Sequence, residues 1–146
     1  MLNNDVHKFI EIHFKYIDNM SSKLSFTLQE KNAVYKVAKM MAEADGVVLH
    51  EEIKSIEEEM PKFGVTPDEY DNIIVSGEKT AAIDAFVTIH AMDEKKKKLV
   101  SSFLGYFLSV DQDIDDSELA LWTFIVKVCN LPKMNVRQAV EIYKSF

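Results

Sequence analysis

Residues 27–64 read TLQEKNAVYKVAKMMAEADGVVLHEEIKSIEEEMPKFG, and the pattern returns 66 residues later over the stretch ending at Asn130. Val34 falls opposite Val100, Val37 opposite Phe103, Ala38 opposite Leu104 and Met41 opposite Phe107. Spacings of 3 and 4 put these apolar side chains on one face of a helix. Asp45 then meets Asp111, Val48 meets Ile114 and Glu52 meets Glu118. The series continues through Ile53 and Leu119, Ile56 and Trp122, Met60 and Val126, and Phe63 and Cys129. It closes with Gly64 opposite Asn130, the residue types that best tolerate the left-handed position past a helix end. Apolar helical patterns match one another easily, so the polar residues in register with both helix ends carry the repeat. A further shift of three residues pairs a helix start at Thr66 with one at Asn135. The chain reads as two copies of helix, tight loop, helix, turn and helix, about 27–76 and 94–145. An offset this long is a duplication inside one domain, residues 1–146, and not a solenoid of short units.

Capping boxes mark the helix starts. In such a box a small polar side chain accepts from the N3 amide while Glu or Gln at N3 reaches back. Thr27 with Glu30, Thr66 with Glu69, Asp115 with Glu118 and Asn135 with Gln138 have this spacing, and Pro67 suits the first helical position. Helices are predicted near 3–20, 27–44, 50–63, 66–76, 79–91, 94–110, 115–129 and 135–145. Composition agrees: 47% of the 146 residues are hydrophobic, with only 4 Gly and 3 Pro, too few turn formers for a sandwich or barrel. The fold class is therefore all-α, a compact bundle of seven to eight helices with an internal pseudo-twofold duplication.

Charge narrows the partners. The formal net charge is −7, the wrong sign for gathering along nucleic acid. Of 17 Lys and Arg residues only Arg137 is an arginine, so bidentate clamps on phosphate are nearly absent. The lone Cys129 has no disulfide partner and points to a reducing compartment. The first residues lack a basic stretch followed by an apolar one, so no signal peptide is read. The most apolar run, Phe103 to Val110, is far short of the roughly 20 residues that span a bilayer. A cytoplasmic protein without a transmembrane segment is expected.

The two interhelical loops run from Glu43 to Glu52, with Ala44, Asp45 and Gly46, and from Ser109 to Glu118, with Asp111, Gln112 and Asp113. Both resemble the Ala-Asp-Gly-x-Ile/Val-x-x-x-Glu signature of the TerB-like family. That family comprises the tellurite-resistance TerB proteins and the related N-terminal region of certain membrane-anchored DnaJ-type co-chaperones. The resemblance covers about residues 27–146. It implies a compact all-helical domain, cytoplasmic placement and an association with stress or metal resistance, without a settled chemical activity. The chain departs from the signature at Leu49, where a polar N-cap is usual, and at Gln112, where Gly is usual.

Clustered carboxylates suit a hard cation, so Asp45, Glu52, Asp111, Asp113, Asp115 and Glu118 are the candidate ligands for Ca²⁺ or Mg²⁺. Neither loop is an EF-hand: with Gly46 sixth the first place is Met41, and with Asp111 first the twelfth is Trp122. The same acids also serve as helix caps favoured by the positive N-terminal end of the helix dipole. His50-Glu51 begins like a metalloprotease helix, but Lys54 stands where the second His belongs. His7, His13 and His90 read as surface or partly buried side chains, and Cys129 as a small buried hydrophobe. No Gly-rich phosphate loop or nucleophile elbow is present in the sequence.

Lys95 to Lys98 form the one basic block, read as a solvated face or as a dock for an acidic partner or an anionic membrane surface. Near the N-terminus Val6, Phe9, Ile10, Ile17 and Met20 form one stripe, while Ile12, Phe14 and Tyr16 spread onto other faces. Such a helix either packs into the domain or contacts another chain, with a homodimer as the alternative. The expected function is a non-enzymatic, TerB-like interaction or sensing module of the stress response, its protein partners unidentified. Divalent-cation binding through the two loops is the alternative, and a hydrolase built from dispersed residues a third.

Overall fold

The computed structural model describes residues 8, 24–46, 50–110 and 114–146. Apart from Lys8, the helix expected over 3–20, with His7 and His13, lies outside them. So do Asp111 and Asp113. Among the described residues there are seven α-helices and no strand: α1 (Leu28–Ala42), α2 (His50–Glu59), α3 (Pro67–Lys79), α4 (Ala82–His90), α5 (Glu94–Val110), α6 (Asp116–Val128) and α7 (Val136–Ser145). A 3₁₀ turn, Met60–Phe63, extends α2. The protein is all-α, as the composition and periodicity require.

Two helices organise the packing. α1 lies against α3 and α4, and α5 lies against α7. The repeated positions supply the core: Val34, Val37, Ala38 and Met41 are all fully buried on α1, as are Val100, Phe103 and Leu104 on α5. Rings run in sequence through this core. Phe26 meets Phe63 at 5.2 Å between centroids, Phe63 meets Phe103 at 5.1 Å, Phe103 meets Tyr143 at 5.6 Å, and Tyr143 stacks on Tyr106 at 4.6 Å. Tilted and edge-on ring pairs each add about 0.5–1.5 kcal/mol beyond the area they bury, so this series ties the chain entry to the last helix.

The joints of the two halves close in the same way. After α2 and its 3₁₀ turn, Gly64 sits at φ 78°, its N–H donating to Pro61 O and the Val65 N–H to Met60 O. After α6, Asn130 sits at φ 52°, donating to Lys127 O while Leu131 donates to Val126 O. These are the paired bonds of a Schellman end, formed at positions 66 residues apart. The helix beginnings correspond as well: Thr27 accepts from Glu30 N at 3.1 Å, and Asp93 accepts from Lys96 N at 2.9 Å.

Several expectations need correction. Helix 50–63 does not run through: Pro61 supplies no N–H, and the chain tightens to 3₁₀ from Met60. The Thr66 box does not form. Glu69 N donates to the Thr66 carbonyl, and the Glu69 carboxylate is bonded to Lys31 at 2.9 Å. Of the other three boxed starts, Thr27 and Asn135 are complete, while Asp115 caps α6 by accepting from Ser117 N at 3.2 Å and not from the expected Glu118 N. Lys95 to Lys98 are not one solvated face, because four consecutive helical residues point to most sides of the helix. Lys95 and Lys98 are exposed, Lys96 pairs with Glu30 at 2.9 Å, and Lys97 is buried. Leu119, expected on the buried stripe, is 40% exposed.

Candidate interaction surface

The acidic loops come first. Asp45 is exposed in the turn after α1, beside Gly46 at φ 82°. Glu52 is half-buried in the first turn of α2. Asp115 is engaged as the cap of α6, and Glu118 is buried one turn into that helix. Among the described residues no three His, Cys, Asp or Glu side chains come together as a group able to hold a metal ion. His50 and His90 are exposed at helix ends.

A polar cluster at the other side of α2 joins the two halves. The Tyr143 hydroxyl bonds to Glu59, and Lys62 Nζ donates to the Tyr143 carbonyl at 3.0 Å and lies 3.8 Å from its ring centroid. Burial first, and then the Glu59 carboxylate, push the Tyr143 phenol well above its ordinary range; Tyr106 moves the same way for the same reasons. These groups stay protonated at neutral pH and act as struts between α2, α5 and α7. Cys129 is fully buried, with Sγ 3.7 Å from Phe86 O. Burial pushes its thiol up to about 11, against a smaller downward pull from Lys97. A thiol held protonated is a poor nucleophile, in keeping with a packing role.

The unusual feature is apolar and exposed. On α4, Ile83 and Val87 are 63% and 62% exposed one turn apart; on α6, Phe124 and Val128 are 51% and 37% exposed at the same spacing. The two helices meet through Phe86 and Phe124, whose rings stand edge-on at 5.9 Å. Single exposed apolar residues are ordinary, but two adjoining rows on neighbouring helices are the mark of a contact surface. The register of the two halves sharpens this. The positions equivalent to Ala120, Phe124 and Val128 are Lys54, Glu58 and Lys62, also on the outside. Where the first half carries charged side chains, Lys62 among them reaching Tyr143, the second carries apolar ones. Apolar spacing places Leu119, Trp122, Val126 and Cys129 on the buried stripe and says nothing of Phe124 and Val128 beside it; the mismatch in the outward register was the available signal.

These elements define an all-helical protein whose two halves share their joints and differ in their outer faces. No known family model matches the chain, and no curated protein does. Among solved structures it is similar to the crystal structure of a protein of unknown function from Porphyromonas gingivalis. The two are 40% identical with a TM-score of 0.75, over 83% of this chain and 92% of that one. At that identity and coverage the chain belongs to the same family as the Porphyromonas gingivalis protein. No helix among the described residues is long and apolar enough to cross a membrane.

Proposed function

We propose that this protein is a non-enzymatic, TerB-like interaction module of the stress response, which docks a basic amphipathic helix on the α4–α6 face. The observation that carries the reading is the exposed row Ile83, Val87, Phe124 and Val128, set against the charged Lys54, Glu58 and Lys62 at equivalent outward positions. An apolar face formed by two adjoining helices accepts a third through side chains at helical spacing. The chemistry of the partner follows from charge. The chain carries −7, and Asp84 is exposed on α4 between Ile83 and Val87, so a helix with Lys or Arg flanking its apolar stripe is attracted and an acidic one repelled. The stress-response setting rests on the resemblance of the two interhelical loops to the TerB-like signature. The internal duplication is supported by the paired Schellman ends and by the matching order of helices.

The test is calorimetric titration with a synthetic Lys/Leu amphipathic helix, using the wild type and a Phe124→Glu/Val128→Lys variant. That double change leaves net charge unaltered and installs on α6 the residues that α2 carries. Binding weakened about tenfold or more, equivalent to about 1.4 kcal/mol, supports the reading. Equal binding by both proteins contradicts it.

A further inference from the structure

We infer that the second half of the chain also carries a small-molecule site for an amphipathic organic anion, in the cavity between α6 and the loop leading to α7. The cavity is about 420 Å³ and is lined by Trp122, Thr123, Val126, Lys127, Lys133 and Met134. This is within the size range of small-ligand pockets. It lies on the flank of α6 away from Phe124 and is separate from the proposed docking face.

Three observations converge on a ligand of this class. Trp122, 4% exposed, contributes its indole to the cavity wall, a flat apolar surface for the body of a ligand. Lys127 and Lys133, both exposed, bring two ammonium groups to one cavity on a chain whose overall charge is −7. Val126 and Met134 give the cavity an apolar lining, and methionine adapts to varied apolar shapes. A carboxylate or sulfonate head between the two lysines leaves a short apolar body to lie on Trp122, Val126 and Met134.

The cavity is built, and it is peculiar to one half. In the first half Thr66, the N-cap of α3, follows the Schellman end at Gly64 and Val65 almost at once. In the second, three more residues intervene before the N-cap Asn135, and the longer loop brings Lys133 and Met134 to the cavity. Ile56, Met60 and Pro61 stand in the first half where Trp122, Val126 and Lys127 stand in the second. The loop is held in place: buried Ser101 donates through Oγ to Pro132 O at 2.9 Å, and Leu131 is 5% exposed. On the far side, Trp122 is fixed against Gly105, where an added Cβ would come within 2.9 Å of the indole Cζ2.

Trp122 is the only tryptophan, so one indole N–H resonance reports on the site. The experiment is an NMR titration of that resonance with decanoate below its micelle concentration, repeated with decanol and with a Lys127→Met/Lys133→Met variant. A saturable indole shift with decanoate, weakened about tenfold or more both by decanol and by the variant, is expected. Melting curves verify that the variant is folded, which the exposure of both lysines favours. Absence of an indole shift overturns the inference. So does a shift that decanol reproduces or that the variant retains, since either would remove the anion from the recognition. A response confined to Val87 and Phe124 would place decanoate on the docking face and overturn it too.

Discussion

The outward side of α2 carries Lys54, Glu58 and Lys62; the outward side of α6, 66 residues later, carries Ala120, Phe124 and Val128. The inward sides are far more alike. Ile56 and Trp122 are both buried, as are Phe63 and Cys129, and each helix ends in the same pair of Schellman bonds. The two stretches thus agree at their joints and core positions and differ on their outward faces. In the first half Lys62 reaches across to Tyr143, and Lys31 pairs with Glu69. The second half is open on both flanks of α6, one apolar and one walled by lysines. Both proposed binding surfaces include α6, the helix whose outer face differs most from its counterpart.

The largest effect is expected where each half places a glycine at a helix crossing. A Cβ at Gly105 would lie 2.4 Å from Ala139 Cβ and 2.9 Å from the Trp122 ring, while one at Gly77 would lie 2.4 Å from Tyr35 Cδ1. Gly105→Ala meets a short side chain with no rotamer to escape into, and should cost about 3 kcal/mol in urea unfolding. Gly77→Ala meets a longer side chain that can turn, and helix propensity returns part of the loss, leaving about 1 kcal/mol. Equal costs would mean that the two crossings are equally rigid.

The next difference concerns Phe63 and Cys129, which occupy equivalent core positions but of which only one titrates. The folded thiol is raised from 9.0 to about 11, so the protonated form is favoured in the folded state. Its stabilising contribution is complete below about pH 9 and is lost as pH rises toward 11, amounting to about 2–3 kcal/mol. Cys129→Ala removes this dependence, so the stability gap between wild type and variant should narrow by that amount over the interval. A constant gap would show that Cys129 ionises as freely in the fold as outside it. Smaller again is the contrast among caps. Asn135→Ala and Thr27→Ala each lose a complete capping box and should cost about 1 kcal/mol, whereas Thr66→Ala, whose side chain makes no cap bond, should cost less than about 0.5 kcal/mol. The smallest expected effect is that of divalent cations. Ca²⁺ and Mg²⁺ should leave the melting temperature unmoved; a site filled at a hundredfold over its Kd would add about 2.7 kcal/mol and would return the acidic loops to consideration.

Much of the fold was legible because helices announce themselves locally. The 94–110 helix was read to the residue, and Thr27, Asp115 and Asn135 cap as their side chains dictate. The tightening at Pro61 was not read, because the apolar spacing of Ile56, Met60 and Phe63 carries on past the proline that removes a helical hydrogen bond. Nor was the loss of the Thr66 box, because the competitor for Glu69 is Lys31, a residue distant in sequence whose approach only the packing of α1 against α3 creates. The candidate surface was hidden for a different reason. Periodicity identifies which residues share a helix face, but whether Phe124 faces the core or solvent depends on how neighbouring helices cross. Only the register between the halves, Glu58 against Phe124 and Lys62 against Val128, carried that information in the sequence.

The most direct test is an amide-resolved NMR map of the protein titrated with the Lys/Leu amphipathic helix, recorded for the wild type and for Phe124→Glu/Val128→Lys. Shifts concentrated at residues 83–87 of α4 and 120–128 of α6 in the wild type, and lost in the folded variant, are the predicted result. Shifts centred on α2 or spread evenly over the acidic surface, and unchanged in the variant, would contradict it.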